Sequence, residues 1–301
     1  MNIVMMFNDT RFWTVGSYCK KVLERDPKIE ILAHGRIPED VGLCEHEPLM
    51  EQTDLVMVID SSTHYKIHHG ANILKKYGVK TCFWVSDTHR PDWASWRLQM
   101  MTEWRYDYIF VCQKDAIEMV KNCGYSEDQI VWLPHAVDTE IFRYEEQFEK
   151  RYDVATVGFR NEKRDKYFPE LHKVCEFKEG INLWAWSASR LYNESKIGLN
   201  LSVTNDYLNM RTFEVPACKI PLVTNINRNN DNGFFEIFKD EEDCLVYENV
   251  DEMKEVIVRL LCNPDLYEKI KHNAYAKILA HHSYKNRCNT MLATMGYEML
   301  A

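Results

Sequence analysis

The chain has 301 residues, 46% of them hydrophobic and 28% charged, with a formal net charge of −9. That length can bury one large core or two ordinary ones, and the mixture is that of a globular protein. The acidic balance disfavours broad capture of nucleic acid or of an anionic membrane surface, and no apolar run approaches the ~20 residues that cross a bilayer.

MNIVMMF at 1–7 reads as a first strand rather than a secretory leader, because no basic segment precedes it. A helix follows over about 15–25, then KIEILAHG (28–35) and TDLVMVID (53–60) as strands. A helix is expected over Ile67–Tyr77, then the strands VKTCFWVSD (79–87) and RYDYIFVC (105–112), a helix over 114–123, and QIVWLPH (129–135). Continuous apolar runs separated by helical stretches predict a parallel sheet covered on both faces. VDTEIFRYEEQFEKRYDV, polar and charged from 137 onward, reads as a linker. The alternation then restarts with DVATVGF (153–159), INLWAW (181–186), IGLNLSV (197–203), IPLVTN (220–225) and DCLVYEN (243–249). DEMKEVIVRLLCN (251–263) has helical spacing and is ended by Asn263–Pro264, after which LYEKIKHNAYAKILAHH begins another helix. The expected divisions are 1–145, 146–280 and a terminal segment 281–301. Ten cysteines lie scattered without a CxxC pair. Apolar neighbours at Cys82, Cys112 and Cys218 predict buried thiols in a reducing compartment, with the cytoplasm as the expected location.

Parallel sheets of this kind bind ligands beyond the carboxyl ends of their strands, so the loops there carry the candidates. Between IGLNLSV and IPLVTN lies a short helical segment with Arg211 and Glu214 three residues apart, on one face. Read by spacing alone, the pair is either a surface ion pair at a helix start or a ligand-binding pair. Thr204, Asn205 and Asp206 are its expected caps. Asn200 interrupts an apolar strand and needs a partner; tying the strand to a neighbouring loop and touching a ligand are both open. Asp87 and His89, in VSDTHRPDW, follow a strand end and are suited to position or deprotonate a hydroxyl, whereas capping is the structural role open to Asp87. No GxGxxG stands after the first strand, which argues against a nicotinamide site. His64 and His68 lack the HExxH spacing, and EHE at 45–47 and the pair at 281–282 are read as scattered histidines.

LPHAVDTEIF (133–142), YDVATVGFRNEKR (152–164), YNESKIGLNLSV (192–203), RTFEVPACKIPLVTN (211–225) and HHSYKNRCNTMLATM (281–295) occur in an order that resembles the CgeB-like, spore-maturation branch of the group 1 glycosyltransferases. The first half is similar mainly in its alternation and in WVSDTHRPDW. The resemblance implies an α/β fold of the GT-B type, two Rossmann-like domains facing each other across a cleft, with the terminal helix packing back on the first. It implies a bacterial or phage enzyme that moves a sugar from a nucleoside diphosphate donor to an acceptor hydroxyl, with no cofactor and no metal, and possible retention of anomeric configuration. The acceptor class stays open among a glycan, a protein, a small molecule and a modified nucleobase in DNA, and the oligomeric state between monomer and homodimer.

For the site, the resemblance implies that Glu214 accepts hydrogen bonds from the ribose diol and that Arg164 stabilises the leaving phosphate. Gly158 would admit a close ligand, with Arg160, Arg211, Thr212 and Asn205 around the donor. Gly16 matches a small residue near the donor phosphates or acceptor, and His135 stands in a variant of an Asn-Gly-Val-Asp-like turn. Asp87 and His89 join Arg164 as the catalytic candidates. Trp184 and Trp186 are either core aromatics or a stacking surface for the base. Lys219 stands where the family often has Gly, which predicts a turn of different shape. Two rival functions remain: a catalytically silent nucleotide-sugar-binding or structural protein on the same scaffold, and a nucleotide-sugar epimerase.

Overall fold

The computed structural model describes residues 1–35, 51–59, 76–86, 91–202 and 208–300. The chain forms two compact units, Met1–Pro134 with Tyr284–Ala301, and His135–Ser283.

The first unit contains β1 (Asn2–Met6), α1 (Val15–Leu23), β2 (Glu30–Gly35), β3 (Leu55–Ile59), β4 (Lys80–Val85), α2 (Pro91–Trp104), β5 (Tyr108–Val111), α3 (Ala116–Asn122) and β6 (Ile130–Trp132). All pairings are parallel, in the order β2-β1-β3-β4-β5-β6. β3 is buried along its whole length, as a central parallel strand covered on both faces must be. The chain returns to this unit at its end through α10 (Tyr284–Thr294), where Cys288, Met291 and Leu292 are fully buried and the ring of Tyr284 lies 4.9 Å from that of Tyr18 on α1. Arg287 Nε donates to the carbonyl of Pro134 at 2.7 Å.

The second unit contains β7 (Tyr152–Gly158), α4 (Glu162–Leu171), β8 (Phe177–Ile181), α5 (Ala185–Asn193), β9 (Ser195–Asn200), α6 (Arg211–Ala217), β10 (Leu222–Asn225), α7 (Phe234–Ile237), β11 (Leu245–Tyr247), α8 (Val250–Cys262) and α9 (Pro264–His281). Its sheet is also wholly parallel, in the order β11-β10-β9-β7-β8. Asn249 caps α8 through the amides of Asp251 and Glu252, and Met253, Ile257 and Leu260 form its buried stripe. Asn263 ends that helix and caps the next with Pro264 in its first turn, so one Asn-Pro pair makes both boundaries.

Three expectations change here. The strand expected at 181–186 is instead β8 at Phe177–Ile181, and Ala185 already begins a helix. FKEGI is an edge strand whose polar residues concealed it, while the apolar tryptophans belong to the following turn and helix. The expected boundary at 145/146 falls at Pro134/His135, and the segment read as a linker is bound into the second unit. There the Glu145 amide donates to Asn193 Oδ1, Asn193 Nδ2 donates to the Arg143 carbonyl, and Lys150 Nζ donates to the Asn193 carbonyl. The terminal division likewise moves from 281 to Tyr284, because His281 completes α9 and the Val137 amide bonds the His282 carbonyl. Most of the helix expected over Ile67–Tyr77 lies outside the described residues.

Candidate active site

Strand polarity brings the carboxyl ends of β7, β9 and β10 together in the second unit, and side chains from both faces of the sheet converge there. Val154 pairs with Ile197 on the face covered by α4 and α8, so Gly198 and Asn200 look to the opposite face. α4 contributes Arg164 from the first face, and α6 contributes Arg211 and Glu214 from the other.

Arg164 is 3% exposed. Its Nη2 donates to the carbonyls of Val157, near the end of β7, at 3.1 Å and Leu201, just past the end of β9, at 3.4 Å. Gly158 makes this possible: at φ +148° it adopts a backbone that favours glycine, and a Cβ there would lie 2.4 Å from the guanidinium. Asn161 caps α4 through the Arg164 amide and fixes the register of that side chain. Nε and Nη1 of Arg164, and Nε of Arg211, are buried without a hydrogen-bond partner among the described residues. Burial and then the neighbouring charge of Arg211 bring the Arg164 pKa down to about 10. A buried cation beside a half-buried one, both with unfilled donors, forms a site that an anion would complete.

Glu214 is 8% exposed, and no hydrogen bond or ion pair engages its carboxylate among the described residues. Burial raises its pKa to about 7, with the charge of Arg211 opposing. The pair at 211 and 214 is therefore neither superficial nor closed on itself, so the plain surface ion pair is excluded. Tyr192 on α5 places a fully buried hydroxyl in the same electrostatic neighbourhood, and it too is without a hydrogen-bond partner among the described residues.

The other expected residues are distributed as follows. Arg160 is half exposed and turns outward to Asp165 at 2.5 Å and Glu179 at 2.9 Å. Lys163 Nζ donates to the Ser202 carbonyl. Thr212 is 1% exposed and receives a long bond of 3.5 Å from Asn200, inside a buried polar network. His135 is buried at the first residue of the second unit. Gly16 lies in α1 of the first unit, where a Cβ would meet Phe7 at 2.3 Å, so its smallness serves helix-on-strand packing. Asp87, His89 and Asn205 lie outside the described residues, as do His64, His68 and EHE at 45–47. Among the described residues no group of His, Cys, Asp or Glu is placed to hold a metal ion.

α6 begins only at Arg211, whose amide donates to Asn209 Oδ1 at 3.0 Å; the expected caps Thr204–Asp206 lie outside the described residues. One reading is corrected. The turn after α6 keeps the left-handed form despite Lys219, which holds φ +55°. Its ammonium lies 5.1 Å from the Tyr144 ring and 5.5 Å from the Tyr275 ring, contacts that offset the strain. Asn209 was the missed residue; its signal was an Asn two places before the first helical residue. Among the exposed aromatics, Phe159 packs edge-on against Trp184 at 5.3 Å beyond β7 and β8, and Trp186 is 50% exposed under Arg143.

Residues 148–293 match the family model described as Glycosyl transferase-like. No curated protein matches the chain. Among solved structures, Anabaena HepE in complex with UDP and glucose superposes with a TM-score of 0.68 at 11% identity, over 98% of this chain and 99% of that one. An alpha-glucosyltransferase in complex with UDP and a 13-mer DNA containing an HMU base gives 0.68 at 12%, over 98% and 99%. A glycosyltransferase from Rickettsia africae gives 0.66 at 12%, over 97% of each chain. Two wholly parallel α/β units with this topology are the GT-B fold. The chain thus carries a glycosyltransferase domain in its second half, on a fold of the GT-B type.

Proposed function

We propose that the protein transfers a hexosyl group from a UDP-sugar to an acceptor hydroxyl, and that the second unit holds the nucleotide. The observation that carries this reading is the pair of neighbouring cations, buried Arg164 and half-buried Arg211, where Nε and Nη1 of the first and Nε of the second are buried without partners among the described residues. A diphosphate would supply the missing acceptors and the missing negative charge. Glu214 accepts from the two ribose hydroxyls, since an ionised carboxylate offers two oxygens to a vicinal diol. Trp184 and Phe159 form the aromatic surface against the base. As the sugar–phosphate bond breaks, charge collects on the departing β-phosphate oxygen, and Arg164 stabilises it without a metal. Asp87 or His89 orients or deprotonates the acceptor; in a retaining reaction the leaving phosphate takes that proton.

Within the class, the ordered motifs favour the CgeB-like branch and a cytoplasmic enzyme, acting as monomer or homodimer. UDP is the first donor nucleotide to test because HepE and the alpha-glucosyltransferase were both solved with it. The latter complex also contained DNA, which places a modified nucleobase beside glycans, proteins and small molecules among the acceptors to screen.

The test is calorimetric titration of UDP, GDP, dTDP and ADP into wild type and Glu214→Ala. One diphosphate should bind saturably, and the variant should lose about tenfold or more in affinity. A folded wild type that binds none of them refutes the donor site. A variant with undiminished affinity refutes the ribose contact.

A further inference from the structure

α6, the helix carrying Arg211 and Glu214, has only 7 residues, too few to hold itself by its own hydrogen bonds. A buried pair of amides holds it. Asn209 Oδ1 accepts from the Arg211 amide at 3.0 Å, and Asn209 Nδ2 donates to Asn200 Oδ1 at 3.1 Å. Asn200, the last residue of β9, donates to Thr224 Oγ1 on β10 at 3.0 Å and to Thr212 Oγ1 on α6 at 3.5 Å. Its backbone carbonyl accepts from the Tyr247 hydroxyl at 3.3 Å. Asn200 and Thr224 are fully buried, and Asn209 is 8% exposed. One carboxamide therefore joins β9, β10 and α6, the backbone carbonyl of the same residue reaches β11, and a second carboxamide hands that register to the first amide of the helix. Gly198 on the same face lets α6 press against the sheet, since a Cβ there would meet Val215 at 2.3 Å.

An apolar residue at position 200 would leave the buried amide of Asn209 and the hydroxyl of Thr224 without this partner. A fully bonded amide instead specifies one arrangement of the parts it joins. We propose that Asn200 and Asn209 are positioning residues of the donor site: they set where α6 begins over the ends of β9 and β10, and so where Arg211 and Glu214 stand. Neither needs to touch the nucleotide. The inference rests on the donor-site reading above.

The experiment compares wild type, Asn209→Ala, Asn209→Ser and, as a stability control, Leu260→Ala in the core stripe of α8. UDP affinity is read by calorimetry, stability by thermal unfolding, and the Glu214 carboxyl by 13C NMR titration without ligand. Asn209→Ala should weaken UDP by about tenfold, and Ser, which keeps a side-chain acceptor for the backbone, should fall between Ala and wild type. Leu260→Ala should lose at least as much in Tm yet bind UDP within about twofold of wild type. In Asn209→Ala the Glu214 titration should move down towards the ordinary carboxylate range as the helix start loosens and hydrates. If Asn209→Ala does not fold, the Ser variant carries the same comparison. Wild-type affinity and an unmoved Glu214 titration in these variants would overturn the proposal, as would equal loss of affinity in Leu260→Ala. A wild type that binds no UDP would refute the donor reading instead, and the ligand-free titration would still decide the positioning role.

Discussion

Lys219 holds a left-handed backbone that costs a non-glycine residue about 1 kcal/mol, and two tyrosine rings flank its ammonium. Lys219→Gly should therefore change unfolding free energy by less than about 1 kcal/mol, because relief of strain offsets the lost ring contacts. Lys219→Ala keeps the strain and loses the contacts, and should destabilise by about 1 kcal/mol; denaturant titrations of the two variants check the pair. At Glu214 the sign of the pH effect follows from a raised pKa. Between the ordinary carboxylate value of 4.5 and about 7, the unfolded chain releases a proton that the folded chain retains. Stability from this group is present below that window and is lost as pH rises through it. Glu214→Gln should thus gain on wild type across the window, by roughly 1 to 3 kcal/mol, in unfolding measured at pH 4.5 and 8. Nucleotide affinity should run the opposite way in wild type, falling as pH drops through about 7, since the diol requires the ionised form. A flat affinity profile from pH 6 to 8 would contradict the ribose contact.

At the scale of elements, the glycine ending β7 and the arginine on α4 form one device. Gly158→Ala places a methyl where the guanidinium lies and imposes a backbone that alanine resists. It should destabilise by about 2 kcal/mol and weaken UDP beyond what the loss of stability explains. Thermal unfolding alongside calorimetry separates the two effects. Much of this device was legible beforehand: GFRNEKR announced a strand end, a glycine and a run of cations. Which cation turns inward could not be read from spacing, although the resemblance singled out Arg164. Arg160 and Arg164 are four residues apart with the same chemistry. Only packing decided that Arg160 meets Asp165 and Glu179 while Arg164 reaches Val157 and Leu201. The edge strand FKEGI was missed for a related reason, since a strand covered on one side need not be apolar throughout.

At the scale of the whole chain, the first unit is discontinuous and depends on its terminal helix. Tyr284, Cys288, Met291, Leu292 and Met295 are each no more than 1% exposed. Deleting 284–301 should leave an unfolded or aggregated first unit. Residues 135–283 expressed alone should give a cooperative transition, followed by circular dichroism and amide exchange. Persistence of native exchange protection in β3 and β4 after the deletion would contradict this.

The sequence by itself determined the class of architecture, because strand–helix alternation and continuous apolar runs leave a parallel sheet as the economical way to bury them. It also determined the candidate chemistry around Arg164, Arg211 and Glu214, which its motif order marked out. Tertiary structure alone decided that 137–150 belongs to the second unit, since the partner residue Asn193 is distant in sequence. It alone decided that Asn209 holds the first amide of the donor helix, because that role depends on where the helix begins, and α6 begins where the sheet beneath it ends. Buried polar groups are matched in space and not along the chain, so their partners cannot be read from spacing.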